Sequence, residues 1–245
     1  SWGVLGKWWA RQAENPAVRA FDMVGQAGRH RLRVATLQRG DEPEVLLHRG
    51  QQGVVRQHRA LETYQPHAQA SVEAIQAVGT VSDTVIDVGG GASTLVDDLL
   101  DAGYRELTVL DVSNEGMQIA RDRLGQRSDH VRWLVEDITT WRADQVFDLW
   151  HDRAVLHFLT TALQQSAYRE AMLQATHPGS TVVIGVFGPN GPPQCSGLDV
   201  VHFDETKIKQ LLGPGFAIIS QERREHTTPS GNAQEFLWTS ATRIR

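Results

Sequence analysis

The chain is poor in features that would place it in several protein classes. It has one cysteine, Cys195, so it can form no intramolecular disulfide, and that scarcity fits a reducing compartment. No apolar run approaches the ~20 residues of a membrane-spanning helix. The opening Ser1-Trp2-Gly3-Val4-Leu5-Gly6-Lys7 has no apolar signal-peptide core. The expectation is a cytoplasmic protein with no membrane partner. Lys and Arg number 24 against 29 Asp and Glu, a net charge of −5, so no broad positive surface for nucleic acid is expected. Hydrophobic residues make up 40%, enough for a core. The length of 245 residues allows one α/β domain with an extension, or two small domains.

What is present is organised around Thr84 to Leu95. Val85, Ile86 and Val88 are β-branched and flank Asp87, the pattern of a buried parallel strand. Gly89, Gly90 and Gly91 follow at once, where the backbone turns sharply and a ligand can come close. Ser93 to Leu100 has helical spacing, with Leu95, Leu99 and Leu100 apolar and Asp97 and Asp98 polar. Strand, glycine turn and helix together read as a nucleotide-binding unit. The dinucleotide fingerprint lacks its third glycine, because Thr94 stands at that position. Asp87 suits a ligand with an ammonium or sulfonium group better than a dianionic pyrophosphate. A nicotinamide oxidoreductase is therefore disfavoured.

From position 61 onward the sequence alternates strands and helices. Ala68 to Val78 reads as a helix. A second strand, Glu106 to Asp111, ends on an acid placed to bind two ribose hydroxyls. Ser113 caps a helix that ends near Leu124, with Gly125 just beyond. Val131 to Ile138 is expected as a third strand containing Asp137. A fourth, Gln145 to Trp150, runs into His151-Asp152-Arg153, and His157 follows in the same apolar stretch. Four titratable side chains there are costly unless used. A helix at 162–175 leads to a fifth strand, Gly179 to Phe187, and a Gly/Pro-rich loop at 188–193. A helix at 204–212 and strands at 216–220 and 235–239, joined by a Pro229-Ser230-Gly231-Asn232 turn, complete the chain. The expected fold is α/β, a doubly wound, seven-stranded, mostly parallel Rossmann-like sheet with a C-terminal antiparallel hairpin strand. Residues 1–60, with a possible hairpin at 30–48, read as an N-terminal extension serving as a cap or oligomer contact. Their structure and the oligomeric state stay open.

Residues 61–245 resemble class I S-adenosylmethionine-dependent methyltransferases. The likeness is carried by V-I-D-V-G-G-G-A-S at Val85 to Ser93, W-H-D-R-A-x-x-H-F-L at Trp150 to Leu159, and C-S-G-L at Cys195 to Leu198. It points to a small bacterial-type group, related to lysine methyltransferases of the translation-factor type and, through Asp152-Arg153, to thiopurine-type enzymes. The resemblance implies S-adenosylmethionine as cofactor, held by Asp87, Gly89, Gly90, Gly91, Asp111 and His151. It further implies that Asp137 accepts from the adenine amine, that the following backbone N–H meets the ring, and that Val112 and Ile138 sandwich the purine. Tyr64 and His67, ahead of the first helix, would line the site.

Methyl transfer is an in-line displacement in which alignment supplies most of the acceleration. It also needs a deprotonated acceptor, for which His151 and His157 are candidate bases. Asp152 would orient the methionine portion or an acceptor amine, and Arg153 would pair with Asp152 or clamp an anionic substrate. No matching ligands accompany these residues, so no metal is expected. No Asn-Pro-Pro-Tyr-like tetrapeptide follows the fourth strand, which argues against amino-methylation of bases or glutamine, and Cys195 follows Gln194 rather than proline, which argues against a cytosine-C5 nucleophile. A small-molecule O-, N- or S-acceptor is the first expectation. A protein lysine is the alternative, and a non-catalytic nucleotide-binding module the third.

Overall fold

A computed structural model describes residues 68–195, 197–228 and 231–245. The hairpin read at 30–48, Tyr64, His67 and the Ser196 of the C-S-G-L loop lie outside the described residues. In chain order the elements are α1 (Gln69–Gln76), β1 (Val85–Val88), α2 (Leu95–Asp101), β2 (Leu107–Asp111), α3 (Asn114–Leu124) and β3 (Val131–Val135). They continue with β4 (Phe147–Arg153), α4 (Ala162–Gln174), β5 (Thr176–Phe187), β6 (Gln194–Cys195), β7 (Leu198–Asp199), α5 (Glu205–Leu212), β8 (Phe216–Thr227) and β9 (Ala233–Arg243).

Seven strands form one sheet in the order β3-β2-β1-β4-β5-β9-β8. The first five are parallel and β9 runs antiparallel to both β5 and β8. This is the expected Rossmann-like architecture with its C-terminal antiparallel hairpin. The order reverses between β1 and β4, so the ligand crevice of such a sheet opens at their C-terminal ends. β6 and β7 pair separately as a two-stranded ribbon, where the sequence read only an irregular loop.

Strand alternation sends successive side chains to opposite faces and divides the core. Val85, Leu149 and Val109 meet Ile75 of α1, Leu95 and Leu99 of α2 and Met117 of α3 on one face. Ile86, Val88, Trp150, Val182 and Ile184 meet Tyr168 and Met172 of α4 and Ile208 of α5 on the other. Toward β9 the first face continues into an aromatic cluster of Phe158, Phe187, Phe236 and Trp238, packed against Ala70 and Ala74 of α1.

Four boundaries differ from the sequence reading in ways that matter. β3 stops at Val135, two residues before Asp137, because Asp137 caps a turn instead: its Oδ1 accepts from the N–H (2.9 Å) and hydroxyl (2.7 Å) of Thr139. β4 begins at Phe147 and runs on through Arg153, so the His-Asp-Arg triplet lies within the strand rather than after it. α2 is entered at Thr94, while Ser93 Oγ accepts from Leu95 N–H at 3.1 Å. β8 and β9 are 12 and 11 residues long, because each extends the other's hydrogen-bond ladder to the tip of the hairpin. Among the described residues, no helix is long and apolar enough to cross a membrane.

Candidate active site

The glycine turn is built tightly onto the switch point. Gly89 (φ 77°) and Gly91 (φ 37°) occupy left-handed backbone, which favours glycine. A Cβ on Gly89 would lie 2.0 Å from Val155 Cγ2, and one on Gly90 would lie 2.5 Å from Asp87 Oδ2 and 2.7 Å from Val109 Cγ1. The turn is anchored at its start by Gly89 N–H donating to Leu110 C=O at 2.7 Å. At its end, Arg123 of α3 donates to the carbonyls of Ala92 (3.1 Å) and Ser93 (2.6 Å) and grips Asp97.

The acids at the ends of β1 and β2 are both buried. Asp111 Oδ1 accepts from Ser113 N–H at 2.8 Å, and Ser113 Oγ caps α3 by accepting from Gly116 N–H. Val112 is half-buried beside it. Asp137 lies past the third strand and is half-buried. Ile138 corrects the purine-sandwich reading: its side chain is 1% exposed and packs in the core with Trp141 and Trp150. That leaves no apolar face for a ring, and only its backbone stands near Asp137.

Asp87 and His151 are in register on neighbouring strands and point to the same face. Their side chains meet, Asp87 Oδ1 to His151 Nδ1, at 2.7 Å. A carboxylate only accepts, so Nδ1 carries the shared proton, and in the neutral ring the lone pair is on Nε2. That Nε2 is buried and, among the described residues, has no hydrogen-bond partner. A carboxylate orienting an imidazole whose far nitrogen is unengaged is the arrangement of a general base and its orienting group. Asp87 was expected to face the cofactor; its first partner is this imidazole.

Asp152 is also a correction. It points to the opposite face from His151, is 0% exposed, and accepts from Val155 N–H (2.9 Å) and Leu156 N–H (3.1 Å). The Tyr168 hydroxyl, which itself accepts from Trp150 Nε1–H at 3.1 Å, bonds the same carboxylate. Burial nevertheless pushes Asp152 up to about 6. The residue therefore holds the turn after β4, where Ala154 sits at φ 69°, a strained position for a residue with a Cβ. It cannot orient a ligand on the other side of the sheet, and it does not pair with Arg153.

His157 is fully buried between aromatic rings, 4.3 Å from Phe187 and 4.6 Å from Phe158 by ring centroids. Its Nδ1 accepts from Phe187 N–H at 3.3 Å. Burial, reinforced by the positive fields of Arg153 and His202, drives it down to about 3. Such a histidine is neutral and a poor base, which corrects its candidacy as one. Because Nδ1 accepts, the proton resides on Nε2, a buried donor without a partner among the described residues. Arg153 leaves β4 on the His151 face, and its guanidinium lies 5.3 Å over the Phe236 ring. Among the described residues it forms no ion pair and no hydrogen bond; burial lowers it, and the charges of Cys195 and Asp87 partly counter that. The sequence offered no signal for the part played by Phe236 and Phe187, which come from strands far along the chain.

Residues 85–179, the stretch that holds the glycine turn, Asp111, Asp137 and β4, match a family model described as a methyltransferase domain. Thiocyanate methyltransferase 1 of Arabidopsis thaliana is 24% identical over 155 residues, 61% of this chain and 64% of that protein, so the chain spans less than two thirds of this relative. Among solved structures, the 1,6-didemethyltoxoflavin-N1-methyltransferase of Burkholderia thailandensis is similar with a TM-score of 0.60 at 20% identity, over 77% of this chain and 80% of the other. The N-methyltransferase NodS of Bradyrhizobium japonicum WM9, in complex with S-adenosylhomocysteine, is similar with a TM-score of 0.58 at 19% identity, over 72% and 85%. These likenesses show the Rossmann-like methyltransferase fold.

Proposed function

We propose that this chain, built around a methyltransferase domain, is an S-adenosylmethionine-dependent methyltransferase acting on an O, N or S atom of a small molecule. The observation that carries the reading is the Asp87–His151 pair, set beside the Gly89–Gly91 turn at the switch point of that domain. The related proteins support the donor and the acceptor class: one is named for thiocyanate, and one was solved with 1,6-didemethyltoxoflavin and S-adenosylhomocysteine.

The residues present fit S-adenosylmethionine. The left-handed glycines let backbone N–H groups approach its methionine end. The Asp111 carboxylate closes β2, where ribose hydroxyls would donate to it. Val112, Asp137 and the Ile138 backbone would border the adenine. When bound, the sulfonium supplies an electrophilic methyl group, whose bond to sulfur breaks with the electron pair leaving on sulfur as the acceptor bond forms. His151 would take the acceptor's proton on Nε2, with Asp87 stabilising the imidazolium. The aromatic cluster would exclude water and align the acceptor, from which most of the rate gain derives.

Calorimetric titration of S-adenosylhomocysteine tests the donor. A dissociation constant in the micromolar range is expected for the parent, weakened at least about tenfold in Asp111→Ala. Equal binding by parent and variant would sink the assignment. Labelling an extract with tritiated S-adenosylmethionine tests the acceptor: counts are expected in the small-molecule fraction, and counts following macromolecules would favour a protein lysine instead.

A further inference from the structure

We infer that Arg153, the Nε2–H of His157 and the Phe236 ring form an anion subsite, and that the methyl acceptor is a flat organic anion of the aromatic carboxylate type. The inference rests on the methyl-transfer reading and adds the substrate class to it. The three groups form one continuous cluster. Arg153 stands in register with Gly185 of β5, and Phe187, two residues on, is in register with Phe236 of β9. Phe236 lies 5.3 Å beneath the guanidinium and 4.9 Å from Phe187, which in turn stacks on His157 at 4.3 Å.

Two kinds of unanswered donor meet in this cluster. The Arg153 guanidinium has no ion pair or hydrogen bond among the described residues, and the residue is half-buried with its charge over the Phe236 ring. His157 Nε2–H is buried without a partner among the described residues, its tautomer fixed by the Phe187 N–H on the other nitrogen. Leaving such groups unmatched is costly, and a carboxylate is the group whose chemistry answers a guanidinium and an imidazole N–H. The nearby charged and titratable groups are His202, His226, Cys195 and Asp87. The one carboxylate of that set, Asp87, is already engaged by His151. Phe236 sets an aromatic face against the guanidinium, which favours a planar, conjugated partner over an aliphatic one. Two residues along a strand separate Arg153 from His151, about 7 Å. For an acceptor whose anionic group is held at Arg153, that separation corresponds to a short planar spacer before the nucleophilic atom meets His151 Nε2.

The test is a titration of the full chain, saturated with S-adenosylhomocysteine, by three probes: benzoate, its neutral isostere benzamide, and acetate. Benzoate is expected to bind at least about tenfold more tightly than either. Arg153→Gln should lower benzoate affinity about tenfold or more and His157→Phe at least about threefold, each with S-adenosylhomocysteine affinity within about twofold of the parent. Benzamide or acetate matching benzoate, no benzoate binding at about 20 mM, or variants that bind it like the parent, each overturns the subsite. The probe comparison on the unaltered chain needs no variant, so it decides even if His157→Phe does not fold. A parent that fails to bind S-adenosylhomocysteine overturns the methyl-transfer reading, whereas lost benzoate selectivity with that ligand bound overturns the subsite alone.

Discussion

His157 and Asp152, five residues apart and both fully buried, titrate in opposite senses. His157 falls from 6.5 to about 3 on folding, so the folded state refuses a proton that the unfolded chain accepts. Its contribution is present above 6.5 and is lost as pH falls through that window. Asp152 rises from 3.8 to about 6, so the folded state keeps a proton longer than the unfolded chain. Its contribution is present below 3.8 and is lost as pH rises toward 6. Between pH 7 and pH 4 the first effect costs roughly 3 kcal/mol and the second returns roughly 2, leaving a shallow net dependence. Urea titrations across that range should show His157→Phe gaining about 3 kcal/mol relative to the parent on acidification, and Asp152→Asn losing about 2. Parallel curves for parent and variants would refute both assignments. Gly89 makes a simpler case. Gly89→Ala forces a Cβ against Val155 Cγ2 at a backbone φ of 77°, and should cost about 2–4 kcal/mol in the same assay. Loss of less than about 1 kcal/mol would mean the turn relaxes freely.

At the scale of elements, β4 decides what the site can be, and its register was only half legible. The glycine turn and the acids at 87 and 111 could be read from local pattern, since each closes a short apolar run. Ending β4 at Trp150 hid the consequence of strand period. Once the strand runs through Arg153, His151 and Arg153 must share one face and Asp152 the other. The His151–Asp87 contact joins residues 64 apart, and no local pattern encodes a pairing that depends on parallel register. Asp137 misled in the other direction: an acid after a β-run looks like a strand end, yet its affinity for the Thr139 N–H and hydroxyl makes it a turn. The loop between β1 and α2 also depends on a neighbouring helix that no motif marks. Arg123 of α3 holds Asp97 with both Nε and Nη2, and its two carbonyl contacts fix the end of the glycine turn. The pair is partly exposed, 28% and 20% by side chain, so its direct contribution to stability is modest. Its effect on ligand binding should be larger, because it preorganises the turn. Arg123→Ala is expected to weaken S-adenosylhomocysteine binding about three- to tenfold by calorimetry, with Arg123→Lys recovering little because a single ammonium cannot span the same acceptors. Unchanged affinity in both variants would show that the turn holds itself.

At the scale of the whole molecule, the proposed function sets two tasks side by side along the width of the sheet. The donor side is assigned to the loops after β1, β2 and β3, and the acceptor side to β4, β5 and β9, with the Asp87–His151 pair at the seam. Ligands for the two sides should therefore stabilise different regions while raising global stability in the same way. At a ligand concentration of 100 times its dissociation constant, binding to the folded state alone adds about 2.7 kcal/mol. Hydrogen exchange followed by mass spectrometry can locate where slowing arises beyond that global gain. S-adenosylhomocysteine is expected to slow exchange most at 89–95, 111–116 and 136–141, and to leave the tip of the β8–β9 hairpin near 226–233 unchanged. Benzoate added to that complex should extend the slowing to 153–158 and the end of β5 at Phe187, where the His157 Nε2–H and the Arg153 guanidinium reside. Slowing by S-adenosylhomocysteine centred on β5 and β9, with the three loops unaffected, would reverse the assignment of sides. Because the same chain, ligands and peptides report on both sides at once, a uniform change everywhere would also count against it, since that is what a ligand bound outside the crevice would produce.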